Sequence, residues 1–269
     1  MARVKGMQKI VGSFANASFY TIQGGDQVYV RIKGGPSKRA IKTKPQFEKL
    51  RRNNSEWSAC AKMGSNLRTG YYYLRHLEDY PIIGSLNALA KKIQKMDEEG
   101  EHGQRSIYLS RHKDLLGGIN LSKKQVFESV LRVPISVTID RGEAKRALVH
   151  VPSIDTRMYL YNYRNLPFFR LLFCLGGVQD MVYNKTENNY AESAVYIDRV
   201  NGIHISDWHS TNGVIPELDI ELLYVDDPGP VPEDFTLVLT VGLEFGKQGA
   251  NGEPEGVKYA GCGKIMRVE

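Results

Sequence analysis

From Pro134 onward the apolar residues of this chain recur at every second position, whereas over residues 45–133 they recur every three or four. That switch constrains the fold more than any other feature. Side chains alternate faces along a strand, but return to one face about every 3.6 residues along a helix. "PISVTIDRGEAKRALVHVP" reads as two strands around Asp140-Arg141-Gly142. "FTLVLTVGLEFG" sets Leu237, Leu239, Val241, Leu243 and Phe245 on one face, and Thr236, Thr240 and Glu244 on the other. "SAVYIDRV", "ELDIELLYV" and "VKYAGCGKIMRV" add further strands, separated by Gly, Pro, Asn and Asp. Short strands without intervening helices predict an antiparallel β-sandwich, jelly-roll-like, over residues 134–269, with a core of its own.

Residues 45–133 carry the helical period. Trp57, Cys60, Gly64, Leu67, Tyr71 and Leu74 form a narrow seam behind Ser55, which reads as an N-cap. Gly64 would let a neighbour approach closely, and Asp79-Tyr80-Pro81 ends the helix. Leu86, Leu89, Ala90, Ile93 and Met96 predict a second helix, and Ser122 to Gln125 fits a capping box for a third. Residues 1–44 read as a β-hairpin, Phe19 to Ile22 against Val28 to Ile32 around Gly24-Gly25-Asp26, followed by a basic arm. The fold class is therefore α+β in three stretches.

Charge is distributed unevenly. Residues 1–133 hold 24 Lys or Arg against 11 Asp or Glu, and residues 134–269 hold 12 against 19, within a net charge of +6. The densest run holds nine cations and the single acid Glu48: Arg31, Lys33, Lys38, Arg39, Lys42, Lys44, Lys49, Arg51 and Arg52. These residues are the candidate contact with nucleic acid or with a partner. Phosphates would be met by the cations with release of counterions, and Tyr29 lies nearby for stacking. A second copy of the chain would instead set the basic half of one molecule against the acidic half of another.

Catalytic signatures do not emerge. "KGGPSKRA" lacks the Walker spacing, offers no helix start, and loses an amide at Pro36. "GCGKIM" lacks the third glycine of a dinucleotide loop. His204 and His209 flank Asp207 in "HISDWH"; on one strand they would face opposite ways, and a polar loop with an exposed Trp208 outweighs a metal site. Asp219 and Glu221 read as surface acids. Tyr159, Tyr161 and Tyr163 could be a stacking platform for sugars or bases, or plain strand alternation. Cys60, Cys174 and Cys262 are odd in number and widely spaced, which predicts reduced thiols and a cytoplasmic protein. "LPFFRLLFCLGGV" is too short to span a bilayer and contains Arg170, so no membrane partner is expected.

Several phrases together resemble a family of Bacteroidota proteins: "VRIKGGPSKRAIKTKPQFEKLRRNNSE", "LNALAKKIQKMD", "GQRSIYLS", "LEFGKQ" and "VKYAGCGKI". No activity attaches to that family, so the resemblance implies a bacterial, intracellular setting and carries no catalytic residue across. The reading that results is a non-enzymatic, self-assembling homo-oligomer without cofactor. The alternatives are nucleic-acid binding through the basic arm, and a sugar-binding or enzymatic role of the sandwich.

Overall fold

The structure is a computed structural model that describes residues 2–4, 11–22, 27–32, 34–143, 145–193, 202–224 and 231–269. It is α+β, and the chain divides into two compact units, residues 1–51 and 52–269. In the first unit β1 (Ala2–Val4), β2 (Gly12–Phe14), β3 (Ala17–Thr21) and β4 (Val28–Ile32) form an antiparallel sheet in the order β1-β4-β3-β2. The predicted hairpin is β3 against β4, with Phe19 opposite Val30. Its glycine loop lies outside the described residues, as does Lys33. Contrary to the sequence reading, "KGGPSKRA" does start a helix: Ser37 Oγ accepts from the Ala40 amide at 3.1 Å and caps α1 (Lys38–Thr43). Pro36 sits ahead of that cap, where no helical hydrogen bond needs its missing N–H.

A 3₁₀ turn at Pro45–Phe47 leads into α2 (Glu48–Gly70). Ser55 is therefore an interior residue and not the cap. Pro45 is the nearest breaker upstream, and the good helix formers of "EKLRR" carry the helix back to it. The seam holds from Cys60 to Leu74, but Trp57 is 52% exposed. Beyond Gly70 the chain tightens into a 3₁₀ turn, Tyr72–Leu77, before Asp79-Tyr80-Pro81. α3 (Ile83–Gln94) crosses α2 at Gly64, where an added Cβ would lie 2.1 Å from Asn87 Oδ1. The third predicted helix is displaced. Ser122 Oγ does accept from the Gln125 amide at 3.2 Å, yet the only helical turn there is α4 (Phe127–Val130). The carboxylate of Asp79 takes the Lys123 and Lys124 amides, which holds those residues in a bend.

The strand-rich half begins with β5 (Ser136–Asp140), β6 (Arg146–Val151) and β7 (Ile154–Asp155), then the turn α5 (Thr156–Tyr159). β8 (Phe168–Gln179), β9 (Met181–Asn184), β10 (Asn189–Glu192), β11 (Gly202–Ile205) and β12 (His209–Ser210) follow. β13 (Val214–Ile215), β14 (Leu218–Leu223), β15 (Phe235–Gln248) and β16 (Pro254–Val268) complete the chain. The "SAVYIDRV" strand falls almost wholly outside the described residues. The five-stranded sheet runs β11-β8-β15-β16 with β12 also on β8, and the three-stranded sheet runs β14-β6-β5. Phe169, Leu171, Phe173 and Leu175 of β8 meet Leu237, Leu239, Val241 and Leu243 of β15 in a core shared with Val149, Ile220 and Leu222 of the smaller sheet. This is the sandwich.

The reverse face of the large sheet is buried as well. Leu172, Cys174, Val178, Val238 and Ile265 pack on Cys60, Met63 and Leu67 of α2 and on Leu86, Ala90 and Ile93 of α3. The second unit is thus three layers, small sheet, large sheet and helices. A strand covered on both sides reads as a continuous apolar run. For that reason "LPFFRLLFCLGGV" is a central strand, and Thr236 and Thr240 are buried instead of facing water. Arg170 is held there by Glu244, with Nε 2.8 Å from Oε2. The end of α2 comes very close: a Cβ on Gly176 would lie 1.8 Å from the Gly70 carbonyl oxygen.

Candidate interaction interface

Register decides which side chains of the first unit share a face, because directly opposed residues in an antiparallel pair point the same way. Phe14 opposes Ala17, Ala17 opposes Ile32, Phe19 opposes Val30, and Thr21 opposes Val28. One face of the sheet is therefore almost wholly apolar. The other carries Ser13, Ser18, Tyr20, Tyr29 and Arg31. On that polar face Tyr20 and Tyr29 stack with centroids 6.0 Å apart, and the Arg31 guanidinium lies 5.8 Å from the Tyr20 ring. The apolar face is not used up within the described chain. Val28 is 5% exposed, but Phe14 and Ile32 are each 79% exposed.

The predicted contact cations fall into groups. Lys38, Arg39 and Lys42 are exposed on one side of α1, opposite the half-buried Ala40 and Ile41, as helical spacing requires. Lys44 and Lys49 are exposed around the 3₁₀ turn. Arg51 is not a free cation: its Nη1 donates to the Ile41 and Lys44 carbonyls at 2.7 and 3.0 Å and closes the C-terminus of α1. Arg52 is exposed at the start of the second unit. The fold thus gathers Lys38, Arg39 and Lys42 on one helix and sets Arg31 apart on the polar face of the sheet.

In the second unit one cluster of charge is turned inward. Glu56 is fully buried, and Arg105 grips it through two hydrogen bonds of 2.7 and 2.8 Å. Lys91 donates to it at 2.5 Å, and the Gly103 amide at 2.9 Å. Burial alone would raise this carboxyl, but those donors outweigh it and hold the pKa at about 2. Gln94 completes the network, giving its amide to the Glu56 and Arg105 carbonyls. The arrangement ties residues 97–106 to α2 and α3. Its carboxylate oxygens are already occupied, so its role is architectural.

The remaining sequence candidates resolve individually. His204 opposes Phe173 and His209 opposes Phe169, so they lie on the same face of the sheet, about 13 Å apart along β8. The excursion of Ser206 to Trp208 out of the strand reverses the parity that their spacing implies. Trp208 is half-buried rather than exposed, with the Arg170 guanidinium 4.4 Å from its ring. Asp219 pairs with His150 and Glu221 with Arg146 on the outer surface of β14 and β6, as expected of solvent-facing acids. Tyr159 ends α5, and Tyr161 and Tyr163 follow in a loop, so strand alternation does not account for them. Tyr163 packs edge-on against Phe245 at 5.6 Å. All three cysteines are free and buried, and burial pushes Cys60 up to about 11 and Cys174 and Cys262 up to about 12. Among the described residues no three His, Cys, Asp or Glu side chains are grouped to hold a metal ion. No helix among them is long and apolar enough to cross a membrane.

A cleft of about 870 Å³ in the second unit escaped the sequence reading. Its walls come from the 3₁₀ turn Tyr72–Leu77, the loops at residues 78–80, 122–125 and 163–164, and β16 near Tyr259. The "YR" at Tyr163 and the "KY" at Lys258 were the available signals, two cation–tyrosine dipeptides far apart in sequence. Comparison with protein-family models, with curated proteins and with solved structures finds no match.

Proposed function

We propose that this chain is a non-enzymatic assembly protein of a bacterial cytoplasm, and that its N-terminal unit joins one copy to another. The observation that carries the reading is the apolar sheet face on which Phe14 and Ile32 remain 79% exposed. Burying two such side chains in an interface is worth roughly 1.5–3 kcal/mol each, so the face favours an apolar occupant. The occupant is a second copy of this chain. The exposed cations of α1 stand beside this face in sequence, and the acidic 134–269 half of another copy offers complementary charge. Exposed charge pairs orient such an encounter, while apolar burial stabilises it.

Removal of residues 1–44 tests the reading. The second unit has its own cores, so the shortened chain should stay folded by circular dichroism and lose self-association in sedimentation velocity. A shortened chain that assembles as the full one does would refute the role of the N-terminal unit. The competing reading, nucleic-acid binding through the arm, predicts that Glu at Lys38, Arg39, Lys42 and Lys44 abolishes capture of mixed-sequence DNA and RNA without altering oligomeric state.

A further inference from the structure

We infer that the cleft of the second unit binds single-stranded nucleic acid, at a site separate from the basic arm. Arg75, Lys124, Arg164 and Lys258 come from four chain segments and line it, and none of them is ion-paired among the described residues. The two carboxylates in the wall are already engaged. Glu78 takes two hydrogen bonds from Arg68, at 2.9 and 2.6 Å, and one from the Tyr71 hydroxyl. Asp79 takes the Ser122 hydroxyl at 2.7 Å and two backbone amides. Asp79 keeps its charge, which Lys124 helps to stabilise, so Arg75, Arg164 and Lys258 are the cations that the cleft offers a ligand.

Aromatic rings alternate with those cations. Arg164 lies 5.9 Å from the Tyr163 ring and Lys258 lies 4.9 Å from the Tyr259 ring. Tyr259 is the sharper observation. It sits at φ 59°, left-handed backbone that a bulky residue adopts only under constraint. The constraint is an irregularity between β15 and β16. Glu244 pairs with Gly261 and Gly246 with Gly256, so residues 257–260 bulge out opposite Phe245 alone. A bulge of this kind re-aims side chains, and here it presents Lys258 and Tyr259 at the cleft wall while Tyr259 stays 58% exposed. Cations that meet phosphates, interleaved with rings that stack bases, make up the chemistry of single-strand recognition. The volume accommodates a nucleotide. The same chemistry would serve a free nucleotide, so the test separates the two sources.

Fluorescence anisotropy of the full-length chain with a labelled oligothymidylate and an oligouridylate of about twelve nucleotides is the direct measurement. Binding should be saturable near 50 mM salt and weaken roughly tenfold or more by about 200 mM. The double variant Arg164→Glu, Lys258→Glu should weaken it at least about tenfold, because two phosphate contacts become repulsive. Tyr259→Gly, which also relieves the left-handed strain, should weaken it about five- to tenfold and leave the salt slope unchanged. Glu at Lys38, Arg39, Lys42 and Lys44 should leave this binding in place. Calorimetry with a mononucleotide assigns the source. Saturable uptake that the double variant abolishes identifies a nucleotide site, and uptake of the oligomer alone identifies a strand site. Absence of oligomer and mononucleotide binding at low salt overturns the inference. So does binding that survives the cleft variants and disappears with the arm variant.

Discussion

Glu56 shows how a single residue can hold this fold without serving as a site. Its charge is stabilised by Arg105, Lys91 and the Gly103 amide, so removing it leaves two half-buried cations without their partner. Breaking a buried pair in this way costs about 3–5 kcal/mol, and Glu56→Ala should lower Tm by roughly 6–20 °C. The pH dependence has a definite sign. The folded pKa of about 2 lies below the ordinary glutamate value of 4.5, so the unfolded chain takes up the proton first as pH falls. Stability from Glu56 is complete above about pH 4.5 and drains away toward pH 2, and the variant should lose that acid limb of the Tm profile. The cysteines give a second residue-scale expectation. Buried and with raised pKa values, Cys60, Cys174 and Cys262 should resist a thiol reagent at neutral pH in the native protein, and all three should react in denaturant. Fast labelling of the native chain would contradict the buried placement.

At the scale of elements, the large sheet is the structure on which everything else rests. Leu172, Cys174, Val178, Val238 and Ile265 share their core mainly with α2, α3, the Tyr72–Leu77 turn and residues 107–121, all of which lie outside residues 134–269. An isolated fragment of residues 134–269 is accordingly expected to keep β-sheet circular dichroism but to expose this face, bind a hydrophobic dye and aggregate. A monomeric fragment that excludes the dye would show that the helices are dispensable. Period made the strands legible: "FTLVLTVGLEFG" names its inner face correctly. Period could not reveal the second layer, since Thr236, Thr240 and Glu244 look like solvent residues, yet all three are buried. Helix ends were less legible for a related reason. Ser55 has the chemistry of a cap, but a breaker decides where a helix starts, and that breaker is Pro45. The basic segment was legible as charge, but not the diversion of Arg51 to cap α1. The cleft was invisible because its cations come from segments that only the fold brings together.

Over the whole molecule, the sequence pairs a basic first half with an acidic second half, and the first unit carries an apolar sheet face with exposed Phe14 and Ile32. Charge alone would give an association that disappears as ionic strength screens it, because the Debye length shrinks from about 10 Å at 0.1 M salt to about 3 Å at 1 M. Apolar burial does not weaken in that way. Light scattering coupled to size exclusion therefore discriminates most directly, run on the wild type and on Phe14→Ser, Ile32→Ser across a concentration series at low and high salt. The wild type should form an oligomer that persists at high salt, and the folded double variant should run as a monomer. A wild type that remains monomeric at high concentration and low salt, or a double variant that assembles unchanged, would contradict the proposed assembly.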